Sequence, residues 1–173
     1  MKKVIVLIAL VIAPAISFGQ SIFDKLENMD DVSSVILSKD AFQLLSKFDM
    51  KDNKSEEMEV FRMIQNLEVF KVFTSNNATV AKDMNKMVSS HIKKEGLTQL
   101  MRVKDKDSNV KIYIKSGKNK DYVNEVLMYI SGIEKQTKGQ AEAVVMSLTG
   151  KIDVNKLSDL ANKFSKTTKV KVN

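Results

Sequence analysis

The stretch LTQLMRVKDKDSNVKIYIK, residues 97–115, decides the fold. Leu97, Gln99, Met101 and Val103 alternate with Thr98, Leu100, Arg102 and Lys104. After the polar run KDKDSN, Val110, Ile112 and Ile114 alternate with Lys111, Tyr113 and Lys115. Alternation at a period of two places successive side chains on opposite faces of a strand. Two such runs joined by a short polar loop read as an antiparallel hairpin.

Val123–Ser131 and Ala141–Leu148 extend the pattern into two further strands, separated by the turn-like Gly132 and Gly139. Upstream the period lengthens. Val80, Met84, Met87, Val88 and His91 recur at helical spacing in 76–95, and Gly96 supplies the stop. VFKVFT (69–74) is apolar on both faces, as a central strand is. VSSVIL (32–37) is β-branched and reads as another strand. Ile22, Phe23, Leu26 and Met29 predict a short first helix, and Ser38 caps a second carrying Phe42, Leu45 and Phe48. Ser55 with Glu56 and Glu57 starts a third, with Val60, Phe61, Ile64 and Leu67 inward. Asp153 caps a last one bearing Leu157, Leu160, Ala161 and Phe164. Strands gathered late in the chain predict an α+β fold, a mainly antiparallel sheet with helices packed on one face, in a single domain.

The first nineteen residues, MKKVIVLIALVIAPAISFG, have the form of a cleavable secretory leader. Lys2 and Lys3 give the positive start, Val4–Ile12 the apolar run, and Ser17 and Gly19 the small residues at the cut. The run is shorter than the roughly 20 residues a membrane span requires. The expected layout is a leader over 1–19 and one domain over 20–173, with 166–173 a loose tail or edge strand. The expected location is the periplasm or the exterior, soluble after cleavage near Gly19.

There is no cysteine, which excludes thiol catalysis, Cys-bound metals and a lipid anchor at the leader junction. Net charge is +7 and becomes +5 once Lys2 and Lys3 leave. The basic end, Lys163 to Lys171, reads as a solvated terminus, and nucleic-acid binding is not expected of an exported chain. His91 is the sole histidine, so no two-histidine metal site exists. Its place on an apolar helical stripe predicts a partly buried imidazole hydrogen-bonded to a neighbour.

Asp105, Asp107 and Asn109 have the start of a calcium-loop spacing. Val110 stands where such a loop needs Gly, and Ser116 where it needs a bidentate Glu. The only G-K steps, Gly117-Lys118 and Gly150-Lys151, read as turns. No catalytic residue, cofactor or metal ligand is assigned. The candidate interaction surface is the basic, aromatic hairpin face of Arg102, Lys104, Lys111, Tyr113 and Lys115, whose plainer reading is the wet side of an antiparallel sheet.

Three blocks carry a resemblance: VSSVILSKDAF (32–42), LMRVKDKDSNVKIYIK (100–115) and LTGKIDVNKL (148–157). With the leader and the length, they resemble the domain-of-unknown-function family 4252, small exported proteins mostly from Bacteroidetes. The resemblance brings no catalytic residues and implies a setting in envelope regulation. The expected function is therefore an exported non-catalytic envelope protein, a binding or interaction module for an envelope protein or polymer. Two alternatives stand beside it: a hydrolase of an envelope polymer using acids on distant loops, and calcium-dependent adhesion through 105–109.

Overall fold

The computed structural model describes residues 21–47, 67–119 and 121–154. The expected leader, the Ser55 helix up to residue 66, and the expected last helix and tail lie outside them; Leu67, expected on that helix, is instead the first residue of a strand. In chain order the elements are α1 (Ile22–Glu27), β1 (Ser33–Ser38), α2 (Lys39–Lys47), β2 (Leu67–Ser75) and α3 (Ala78–Glu95). β3 (Thr98–Lys104), β4 (Asn109–Ser116), β5 (Tyr122–Ser131) and β6 (Ala143–Asp153) follow. All six strands form one antiparallel sheet in the order β1-β2-β6-β5-β4-β3. β3 to β6 is a simple meander. α3 carries the chain from β2 across to the β3 edge, so that β6 returns beside β2.

Local chemistry sets the ends of α3. The Asn77 Oδ1 accepts the Thr79 and Val80 N–H groups at 2.9 and 3.3 Å, satisfying two donors that the first helical turn leaves free. Gly96 turns left-handed at φ 67°, and the Leu97 N–H closes on the Ile92 carbonyl at 3.0 Å. The α1 cap is Ser21, whose Oγ accepts the Phe23 N–H. Ser38 does the same for Ala41 of α2.

Apolar residues divide between the two sheet faces as the period of two requires. Phe73, Leu127, Tyr129 and Val145 meet Phe23 and Leu26 of α1 and Met84 and Val88 of α3 on one face. Ile112, Val126 and Leu148 form a second cluster with Phe42 of α2, Leu67 and Ile152. Fully burying a Leu- or Val-sized side chain stabilises by roughly 1.5–3 kcal/mol. Leu127 and Val145, each wholly inaccessible, anchor the first cluster. Tyr129 donates its hydroxyl to the Ala81 carbonyl at 3.1 Å, tying the α3 backbone to β5.

The α+β class and the antiparallel sheet agree with the sequence reading. The placement of helices on one face holds for α1 and α3. α2 departs from it, because Phe42 joins the opposite cluster. Gly150 also differs from its reading as a turn residue: it lies inside β6, at φ 135°, where pairing with β5 slips past Asn124. A glycine relieves such a bulge because no Cβ opposes the distorted backbone. At the far end of β5, Gly132 takes φ 72°, and a Cβ there would overlap the Asp107 carbonyl of the β3–β4 loop. Among the described residues no helix is long and apolar enough to cross a membrane.

Candidate functional site

The hairpin register brings three of the five expected surface residues together. Arg102 lies directly opposite Lys111, and Lys104 opposite Asn109, so Arg102, Lys104 and Lys111 share one face near the hairpin tip. Arg102 and Lys104 are exposed and Lys111 is half-buried. Among the described residues none of the three makes an ion pair. Like charges placed directly across two strands oppose pairing by a few tenths of a kcal/mol up to ~1 kcal/mol. Arg102 and Lys111 are held in that relation with no acid between them among the described residues.

Tyr113 and Lys115, the other two, belong to the fold. Tyr113 is half-buried and packs against the α1–α3 cluster. Lys115 Nζ donates to Glu95 Oε2 at 2.8 Å, reaching the last turn of α3. This hydrogen bond, with the lysine's charge, holds the Glu95 carboxyl below its ordinary range. The same bond pushes the Lys115 ammonium above its ordinary range. The face expected to be wet is therefore open at the hairpin tip and closed by α3 toward Lys115.

Beside that ion pair lies a hydrogen-bonded histidine–glutamate pair, deeper. His91 Nε2 is 2.9 Å from Glu125 Oε1, with side-chain exposures of 11% and 9%. Glu125 is the direct cross-strand neighbour of Lys115, and Glu95 follows His91 by one turn of α3. The four side chains form a polar clamp between the end of α3 and strands β4 and β5. Phe23 meets the imidazole edge-on, with ring centroids 5.1 Å apart, and seals its other side. The expected hydrogen-bonded helix histidine is thus present. Its partner was not named from the sequence, although Glu125 could have been flagged as a lone acid within the apolar run YVNEVLMYI (122–130).

An open cleft of about 480 Å³ lies at the opposite end of β4 from the hairpin tip. Glu68, Lys118, Asn119, Tyr122, Asn124 and Lys151 line it with Gly117 and Gly150, and none of these was singled out beforehand as a binding residue. Lys151 Nζ sits 4.2 Å from the Tyr122 ring centroid, a cation–π contact that holds this lysine against the aromatic face. Neither His91 nor Glu125 lines the cleft.

The loop considered for calcium is occupied by its own contacts. Asp107 pairs with Lys135 at 3.0 Å, and the Asp105 carboxylate accepts the Lys106 N–H at 2.7 Å. Among the described residues no three His, Asp or Glu side chains gather as metal ligands do.

A six-stranded antiparallel sheet clamped by one long helix, with a cationic hairpin tip, defines a small α+β domain. Residues 25–160 match the family model described as Domain of unknown function (DUF4252), and the chain belongs to that family. No curated protein and no solved structure matches it.

Proposed function

We propose that this chain is an exported, non-catalytic binding module of the cell envelope, and that its hairpin tip receives an anionic envelope partner. The observation carrying this reading is the Arg102–Lys111 cross-strand pair, two like charges side by side with no acid between them among the described residues. That arrangement costs the free domain stability and is relieved when a negative group sits over it. Lys104 widens the same surface. The leader-like residues 1–19 support the location, and the family resemblance supports the setting in envelope regulation.

The non-catalytic half of the reading is supported by the place of the lone histidine. A serine nucleophile would need His91 as its base and an acid to orient it. His91 and Glu125 do meet, but they are buried beneath α3 and neither lines the cleft, where a substrate could reach them.

The test is capture of partners from a native envelope extract by the tagged chain. Arg102→Glu with Lys104→Glu is expected to lose the captured partner while keeping the wild-type circular dichroism spectrum. Moderate salt should weaken wild-type capture, since exposed charges are screened beyond about 8–10 Å at physiological ionic strength. Capture unchanged by both the double reversal and salt would overturn the assignment of the surface. Fractionation that finds the chain in the cytoplasm with residues 1–19 still attached would overturn the location.

A further inference from the structure

Among the described residues the sheet has two outer strands, and they are built differently. β3 carries Arg102 and Lys104, and its pairing with β4 slips at Leu100. Charges and bulges on an outer strand keep it from adding to another sheet. β1, SSVILS, has neither device. It contains no charged residue, pairs with β2 in unbroken register from Ser33 to Ser38, and among the described residues pairs with no other strand. Val35 is 55% exposed and Ile36 38% exposed. An uncharged, unbulged outer strand with exposed β-branched residues is a template for strand addition.

We propose that β1 pairs antiparallel with β1 of a second copy of this chain, joining the two sheets edge to edge about a two-fold axis through Ile36. The inference is independent of the hairpin-tip reading. It rests on the self-complementarity of the strand. With Ile36 facing Ile36, Val35 falls opposite Leu37 and Ser34 opposite Ser38, each pair occurring twice. Apolar residues meet apolar residues and hydroxyls meet hydroxyls, the cross-strand pairings that favour a sheet. Antiparallel partners share a face only when the register preserves parity, so the nearest competitors centre on Val35 and on Leu37. The first sets Ser34 against Ile36 and Ser33 against Leu37, and the second sets Ile36 against Ser38 and Val35 against Lys39. The first charges beyond the strand, Lys39 and Asp40, fall opposite Ser33 and Val32 in the favoured register, so no like charges meet. A contact of this kind is isologous and closes at two copies.

Sedimentation equilibrium of the purified chain from micromolar to millimolar concentration is expected to show its mass doubling. Ile36→Lys puts two ammonium groups face to face at the axis and should hold the chain at monomer mass throughout. A wild-type chain that stays monomeric, or an Ile36→Lys chain that still dimerises, overturns the proposal. The absence of cysteine permits a second measurement that does not depend on the lysine variant folding. Under mild oxidation Ile36→Cys should give a disulfide-linked dimer in high yield and Ser34→Cys little, because Ser34 faces Ser38 across the axis. Equal yields, or the reverse order, exclude this register.

Discussion

Replacing His91 with Leu removes one partner of a buried histidine–glutamate hydrogen bond and leaves the Glu125 carboxyl without it. The two side chains are 2.9 Å apart and only about a tenth exposed, so water cannot take over the role of the imidazole. Leaving a buried acceptor without its partner costs roughly 1–3 kcal/mol, and more where the acceptor is charged. Lys115 faces Glu125 across the β4–β5 ladder and offers partial relief, which places the expected loss at about 3 kcal/mol. In a domain of this size 1 kcal/mol moves the thermal midpoint by about 2–4 °C, so a fall of roughly 6–12 °C is expected. Urea unfolding followed by far-ultraviolet circular dichroism measures the free energy directly. The double variant His91→Leu with Glu125→Met removes the pair altogether and should recover most of the loss, because a well-packed apolar replacement of a buried pair is often neutral. A single variant within about 1 kcal/mol of wild type would refute the buried clamp, as would a double variant no better than the single one.

Tyr129→Phe removes the hydroxyl that holds the Ala81 carbonyl and should cost about 0.5–1.5 kcal/mol in the same assay. Burial, the largest influence on this phenol, pushes its pKa above the ordinary tyrosine range. The stability it contributes is therefore full below that range and lost as pH rises through the higher folded value, a late component that ultraviolet titration of Tyr129→Phe should lack. The Glu95 carboxyl, held low chiefly by its hydrogen bond from Lys115, acts in the opposite direction. Its contribution is present above the unfolded carboxylate value and lost as pH falls through the lower folded value, and in Lys115→Gln its carbon-13 titration should move upward. Gly132→Ala should cost about 1–3 kcal/mol by chemical denaturation, since Ala tolerates φ 72° poorly and its Cβ would meet the Asp107 carbonyl.

Much of the sheet was legible because its signal is local. The alternation through 97–115 fixed both strands of the hairpin, and the loop length set Val103 opposite Val110 and Lys104 opposite Asn109. The juxtaposition of Arg102 and Lys111 follows from that register. What stayed hidden depends on contacts between residues far apart in sequence. Alternation says that Lys111, Tyr113 and Lys115 share a face, but not that the end of α3 covers only part of it. The long stem of Lys115 carries its charge to Glu95 while Tyr113 packs beneath the helix, so residues that look wet in the pattern serve the interior. His91 was readable as a satisfied helix residue from its stripe. Glu125 was not readable as its partner, because 34 residues separate the two and periodicity does not encode which buried acid meets which base. Gly150 misled for another reason: a glycine before lysine suits a turn and a bulge equally well, and only the slipped β5–β6 ladder distinguishes them. The cleft had no sequence signature, since its walls come from the start of β2, the β4–β5 turn, β5 and the end of β6.

The central claim is that the hairpin tip sacrifices stability to hold positive charge for a partner, and Lys111→Glu tests it most directly. The substitution puts an acid opposite Arg102 in the β3–β4 ladder, turning a like-charge pair into an opposite-charge one. Capture from the envelope extract should fall sharply while the unfolding free energy rises by about 0.2–1 kcal/mol, so lost binding cannot be ascribed to lost folding. Full capture by the stabilised variant would contradict the assignment and leave Arg102, Lys104 and Lys111 as an ordinary solvated strand face.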